Sequence, residues 1–311
     1  MLSKVAERIY WAARYLERIE STARLISIYD KLLFDLPRSV DLSWYNLIEI
    51  NSLQESFNER YSVKDERNVM KFLLGDESNP SSVVYSLKAV RENVRTTRDV
   101  IPADVWYAIN SLNLYVKEHL MQGVNRSKRY EFLTEVIERC QQIVGILHSD
   151  MPHDEAWEFL RMGWNLERAD MTSRNLDAAV AAIMEMSDVD DAVNSHQIIW
   201  LNLLRSLNAD QGYRRCTRNA VRSEGVVDYL VTNTDFPRAI AYCLKALQMS
   251  CARLPNSGLV AEGIQSIEAE CLESFDSKLS GQPLRDYLND VQIRIINMHQ
   301  TIRETWFPAW D

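Results

Sequence analysis

The stretch LERIESTAR at residues 16–24 is written a second time, with five identical positions, as LERADMTSR at residues 166–174. Three further matches follow in the same order. Trp44-x-Asn46-Leu47 returns as Trp200-x-Asn202-Leu203, and PSSVVYSLKAV from Pro80 returns as PRAIAYCLKAL from Pro237. FLTEV from Phe132 returns as YLNDV from Tyr287, with Arg139 and Arg294 in step. The offsets drift only between 150 and 157 positions, which small loop insertions explain. A chain carrying this order reads as two copies of one unit, residues 1–150 and 151–311, packed together about a pseudo-two-fold axis. The period is too long for a solenoid.

The unit itself reads as helical. Val5, Ile9, Ala12, Leu16, Ile19, Ala23, Ile26 and Leu33 recur at three- and four-residue spacing and form one stripe along a long helix over residues 2–34. Alternating β-branched runs bounded by turn residues do not occur. Pro80, Pro102, Pro152, Pro237 and Pro283 each stand at the start of a helical pattern, and Asn79 and Asp235 are placed to help cap two of these helices. The expectation is an all-α, internally duplicated bundle of roughly eleven or twelve helices with pseudo-two-fold symmetry.

Composition narrows the functional classes. The 311 residues are 46% hydrophobic and 25% charged, as in soluble globular proteins, and the net charge of −9 disfavours nucleic acid and anionic membranes as partners. No apolar run reaches the length of a membrane span, and MLSKVAERIYW carries charges where a signal peptide would be apolar. Cys140, Cys216, Cys243, Cys251 and Cys271 are odd in number and form no CxxC, so they read as reduced core thiols of a cytoplasmic protein. HSDMPHD at 148–154 gathers two histidines and two aspartates, but around Pro152 it reads as an inter-helix turn rather than a metal site. No nucleophile elbow, phosphate loop, dinucleotide fingerprint or metal signature occurs. No cofactor is expected.

The candidate chemistry lies in the repeated block. On a helix Glu17 and Arg24 share a face, as do Glu167 and Arg174, with Arg18 and Arg168 on the neighbouring row. Four residues before each glutamate stands a small residue, Ala13 or Gly163, which lets another helix approach closely. The two LER helices are therefore expected to cross near the axis, with Glu17 meeting Arg168 or Arg174 and Glu167 meeting Arg18 or Arg24. One reading is a buried ion-pair network that fixes how the halves dock. The other is a polar site in which arginines grip a carboxylate or phosphate and a glutamate serves as acid, base or amine anchor. A second basic feature exists in one copy only. Arg91, Arg95 and Arg98 fall at i, i+4 and i+7 with Glu92 and Asn93 beside them, whereas the aligned residues of the other copy are Gln248, Ala252 and Pro255. The stripe is either an anion-binding row or a solvated helix face.

The opening MLSKVAERIYWAARYLERIESTAR, the block NPSSVVYSLKAVRENVRTTRDVIPADVWYAIN, the second LERADMTSRNLD and the TDFPRAIAYCLKAL block together resemble the bacterial alpha-E domain family, over essentially the whole chain. That family is all-helical and named for its Glu-Arg motif. The resemblance implies association with circularly permuted ATP-grasp proteins and transglutaminase-like proteins, at times with a proteasome-like protease. It also implies service in an amide-ligation or peptide-modification system. The ligase is expected to be a separate chain. The motif positions carried over are Glu17, Arg18, Arg24, Arg91, Glu92, Asn93, Arg95, Arg98, Trp106, Asn110, Glu167, Arg168, Asp170, Thr172, Arg174, Pro237 and Arg238. Where the family often has a glycine in its first motif helix, this chain has Ala12-Ala13. The leading expectation is an accessory or substrate-binding component of an ATP-grasp amidoligase system. The alternatives are an enzyme with Glu17 or Glu167 as general base, and a structural scaffold.

Overall fold

The apolar stripe of the first repeat block forms one uninterrupted helix, α1 (Ser3–Asp35), and the second block lies inside an equally long one, α8 (Glu155–Glu185). The computed structural model describes residues 1–35, 42–185, 192–218 and 220–308. Among these the chain is all-α, without strands. The other helices are α2 (Asn46–Ile50), α3 (Gln54–Asn58), α4 (Glu66–Met70), α5 (Val83–Arg95), α6 (Ala103–Val124) and α7 (Arg129–Asp150). After α8 come α9 (Ala192–Ser206), α10 (Asp210–Thr217), α11 (Ser223–Thr232), α12 (Ile240–Cys251), α13 (Gly258–Ile267) and α14 (Gly281–Trp306). Three of the fourteen are five-residue turns of helix, which leaves eleven longer ones against the eleven or twelve expected.

α1 and α8 pack on each other at the centre of the molecule. α5 and α7 flank α1, α12 and α14 flank α8, and α9 reaches across to α1 while α2 reaches across to α8. The helices meet closely at Gly163. A Cβ placed there would fall inside contact distance of the Tyr10 carbonyl oxygen and 3.1 Å from the Ala13 Cβ. Two small residues thus do set the approach, with alanine on one side and glycine on the other. The core around this crossing is continuous, with Ile9, Leu16, Ile19 and Ile26 of α1 and Leu160, Leu166, Ala169 and Leu176 of α8 all buried. Hydrophobic burial of this kind is the main term favouring the fold.

Helix starts follow local chemistry, with two differences from the sequence reading. Ser82, not Asn79, caps α5, its hydroxyl accepting from the Tyr85 amide at 3.1 Å. Asn79 is buried and stitches the preceding turn, donating to the Phe72 carbonyl and accepting from Ser81. Near α12 it is Asn233, not Asp235, whose side chain accepts backbone amides, those of Asp235 and Phe236. Ser82 stands in extended conformation directly before α5, where its hydroxyl reaches a free amide of the first turn, while the Asn233 carboxamide closes a turn on the amides two and three residues ahead. Asp154 of HSDMPHD accepts from the Ala156 amide at the start of α8, and His153 stacks on Trp157 at 4.2 Å. That segment is a capped turn. Cys140, Cys243, Cys251 and Cys271 are buried free thiols, but Cys216 is exposed, a correction to the reading of all five as core residues. It lies on the short helix α10, whose outward face meets solvent. Among the described residues no helix is long and apolar enough to cross a membrane.

Candidate functional site

Both repeated glutamates lie on the crossing faces of α1 and α8, and each reaches the arginine of the other helix. Arg168 donates through Nε to Glu17 at 2.9 Å, and Arg18 donates through Nε and Nη2 to the two oxygens of Glu167 at 2.6 and 3.1 Å. Each glutamate also receives a second guanidinium, from unlike places. Arg14, one turn before Arg18, donates to Glu167 at 2.8 Å. Arg238, just ahead of α12, donates to Glu17 and, at 3.1 Å, to Glu20. At the 150- and 157-residue offsets of the matching sequence blocks, Arg14 falls on Trp164 and Arg238 on Ser81, so neither arginine has a counterpart in sequence. Sequence reasoning passed over Arg14. The signal was present, since Arg14 and Arg18 are four apart and share one helix face.

The two glutamates are 1% exposed. Burial alone pushes a carboxyl's pKa up, yet the paired guanidiniums overcome it. Arg18 and Arg14 bring Glu167 down to about 2, and Arg168 and Arg238 hold Glu17 below the usual carboxylate range. Both are ionised at neutral pH with their oxygens engaged. The hydrogen-bond chain continues outward. Arg14 lies over the Trp11 ring at 5.0 Å and donates to the Tyr10 hydroxyl, which meets His299 Nδ1 of α14 at 2.9 Å. Burial raises Tyr10 to about 12 and, with Arg14 and Arg303 nearby, lowers His299 to about 4.

The remaining candidates divide. Arg24 and Arg174 do not cross to the partner helix. Arg24 turns to Glu20 at 2.8 Å and Arg174 to Asp170 at 3.0 Å, both at i, i+4 spacing, and Arg174 also donates to the Ser52 hydroxyl at 2.9 Å. A local acid one turn away is reached at less entropic cost than a carboxylate on another helix. Thr172 donates to the Arg238 carbonyl at 2.8 Å, tying that arginine's backbone to α8. The four carboxylates Glu17, Glu20, Glu167 and Asp170 are thus met by six guanidiniums, those of Arg14, Arg18, Arg24, Arg168, Arg174 and Arg238.

The Arg91–Arg98 row stands apart from this cluster. Arg95 is exposed and forms a two-bond pair with Glu92. Asn93 contributes its backbone carbonyl to Thr96 and Thr97. Arg91 and Arg98 both lie over the Trp106 ring of α6, at 5.4 and 5.0 Å, and Arg91 donates to Asn110 at 2.7 Å. Neither pairs with a carboxylate among the described residues. Two exposed guanidiniums are therefore held in place by an indole and an amide rather than by an acid.

A cleft of about 320 Å³ opens beside the cluster, between the C-terminal halves of α1 and α8 and against α2 and α9. Neither repeated glutamate lines it. Among the described residues no group of three or more histidine, cysteine, aspartate or glutamate side chains is placed to hold a metal ion.

The chain is similar to an uncharacterized protein of Mycobacterium bovis, 19% identical over 272 residues that cover 82% of this chain. Uncharacterized proteins of two Mycobacterium tuberculosis strains match over the same share at 19% and 18%. The chain spans about 30% of the length of these curated relatives. No solved structure matches. Residues 1–307 match the Alpha-E family model, described as a predicted alpha-helical domain with a conserved ER motif, and the chain belongs to that family.

Proposed function

We propose that the protein is an accessory, binding component of an ATP-grasp amidoligase or peptide-modification system, and that the ER glutamates hold its helices rather than carry out chemistry. The observation behind this reading is the state of Glu17 and Glu167. Each is 1% exposed, ionised and met by two guanidiniums. A general base must reach its proton and benefits from a pKa near the working pH. Glu167, at about 2, lies far on the other side. The two exposed guanidiniums over Trp106, which pair with no carboxylate among the described residues, favour an acidic group as what is bound, whether on a peptide substrate or on the ligase itself.

The partners in this reading are a circularly permuted ATP-grasp protein and a transglutaminase-like protein. The test is co-purification with the ATP-grasp protein, comparing the wild type with the Arg91→Gln/Arg98→Gln double variant. Both positions are exposed, so the fold is retained. Loss of co-purification and of ligase output in the variant is the expected result. Unchanged capture and unchanged output would overturn the reading.

A further inference from the structure

The cleft between α1 and α8 owes its space to an imbalance between its walls. α1 presents Leu25, Ile28, Tyr29 and Leu32. The α8 positions 150 residues on are Asn175, Ala178, Ala179 and Ala182. Bulky side chains on one wall therefore face short ones on the other, and the volume of about 320 Å³ lies within the range of small-molecule sites, ~300–1,000 Å³.

The polar groups of the walls are unevenly used. Arg285 of α14 is engaged with Asp177 at 2.8 Å. Among the described residues the Glu49 carboxylate accepts from the Asn46 amide, at 3.1 Å, and it is exposed. Asn202 donates to the Ile198 carbonyl at 3.0 Å, which fixes its amide orientation and leaves its Oδ1 as an acceptor without a donor. That Oδ1, and the Oδ1 of Asn175, are buried without a hydrogen-bond partner, on residues 2% and 5% exposed. A buried acceptor with no donor is costly and is normally satisfied. Among the described residues that line the cleft, both unpartnered atoms are acceptors, and the charged groups are two carboxylates, that of Asp177 paired, against the one guanidinium of Arg285. The walls favour a ligand that donates hydrogen bonds and carries positive charge at one end, with an apolar body against Ile28, Leu32 and the alanines.

We propose that this cleft binds a primary ammonium group carried on an apolar chain, the head at Asn175, Asn202 and the carboxylates, the chain along the alanine wall. An amine-bearing side chain or a short alkylamine has this chemistry. The inference goes beyond the partner reading and does not depend on it.

The test is isothermal titration of the full chain with hexylamine, hexanoate and hexanol, alongside two variants. Ala182→Leu fills the apolar end of the cleft. Asn202→Leu removes an unpartnered acceptor, so it leaves thermal stability equal or higher while taking away a head contact. Hexylamine is expected to bind saturably, hexanol about tenfold or more weakly, hexanoate not at all. Each variant is expected to weaken hexylamine by about tenfold or more, the loss of roughly one hydrogen bond to a charged group. Circular dichroism confirms that each variant is folded, and if Ala182→Leu is not, Asn202→Leu carries the test. Absence of saturable hexylamine binding at millimolar concentration overturns the proposal. So does hexanoate or hexanol binding as tightly, or hexylamine affinity unchanged in the folded variants.

Discussion

Replacing Glu167 by glutamine removes one negative charge from the α1–α8 crossing without changing its volume. The structure sets the size of the effect. The Glu167 carboxyl is brought from 4.5 to about 2 by Arg18 and Arg14. At ~1.4 kcal/mol per pH unit of difference, its ionised form contributes about 3 kcal/mol to folding at neutral pH. Breaking a buried pair by removing one partner costs roughly 3–5 kcal/mol. Here Arg14 keeps the Tyr10 hydroxyl and the Trp11 face, and Arg18 keeps the Pro80 carbonyl and the Tyr15 face, so the lower end applies. Urea unfolding followed by circular dichroism reads this directly. Glu167→Gln is expected to lose about 3 kcal/mol at pH 7. The pH dependence gives a second reading. Because the folded carboxyl has the lower pKa, its stabilisation is complete above 4.5 and is lost as pH falls toward about 2. The wild type should therefore weaken across that window more steeply than the variant. A variant within ~1 kcal/mol of wild type at pH 7, or one with the same acid slope, would refute the reasoning.

Three further outcomes follow. Gly163→Ala forces a Cβ against the Tyr10 carbonyl and should destabilise by about 1–2 kcal/mol after the gain in helix propensity, whereas Gly145→Ala in α7, with open space around it, should stabilise by about 0.5–1 kcal/mol; paired urea melts check both. His299, lowered to about 4 first by burial and then by Arg14 and Arg303, is neutral when folded, so stability is full above 6.5 and falls toward pH 4; His299→Gln should flatten thermal melts across that window. Arg129 is 1% exposed and binds the Gly123 and Val124 carbonyls, Asp30 and Glu66, so Arg129→Lys, which keeps the charge but not the fork, should cost about 2–4 kcal/mol by denaturant unfolding.

Much of the centre was legible because it depends on short-range periodicity and on a block written twice. The helix containing Glu17, the helix containing Glu167, their close approach at Ala13 and Gly163, and the crossing of each glutamate to an arginine of the other helix follow from spacing, and the structure selects Arg168 and Arg18 from the two candidates open to each. What escaped depends on where loops arrive. Arg238 reaches Glu17 only because the chain ahead of α12 passes over α1, with the Arg238 carbonyl held by Thr172. Arg24 and Arg174 were open between two partners, and only side-chain placement shows them serving their own helices. Arg129 gave no pattern, since its four partners come from α1, α4 and the end of α6. The cleft had a trace in the alanines at 178, 179, 181 and 182, but small residues in a helix read equally as close packing until the facing wall is known.

Glu17 and Arg168, with Glu167 and Arg18, clamp α1 to α8. A double-mutant cycle on this pair tests it most directly, using Glu17→Gln, Arg168→Met and the double variant, each unfolded in urea at pH 7. The expected coupling is about 2 kcal/mol or more, because the surviving charge in each single variant stays buried at the crossing. A coupling within ~0.5 kcal/mol of zero would contradict it.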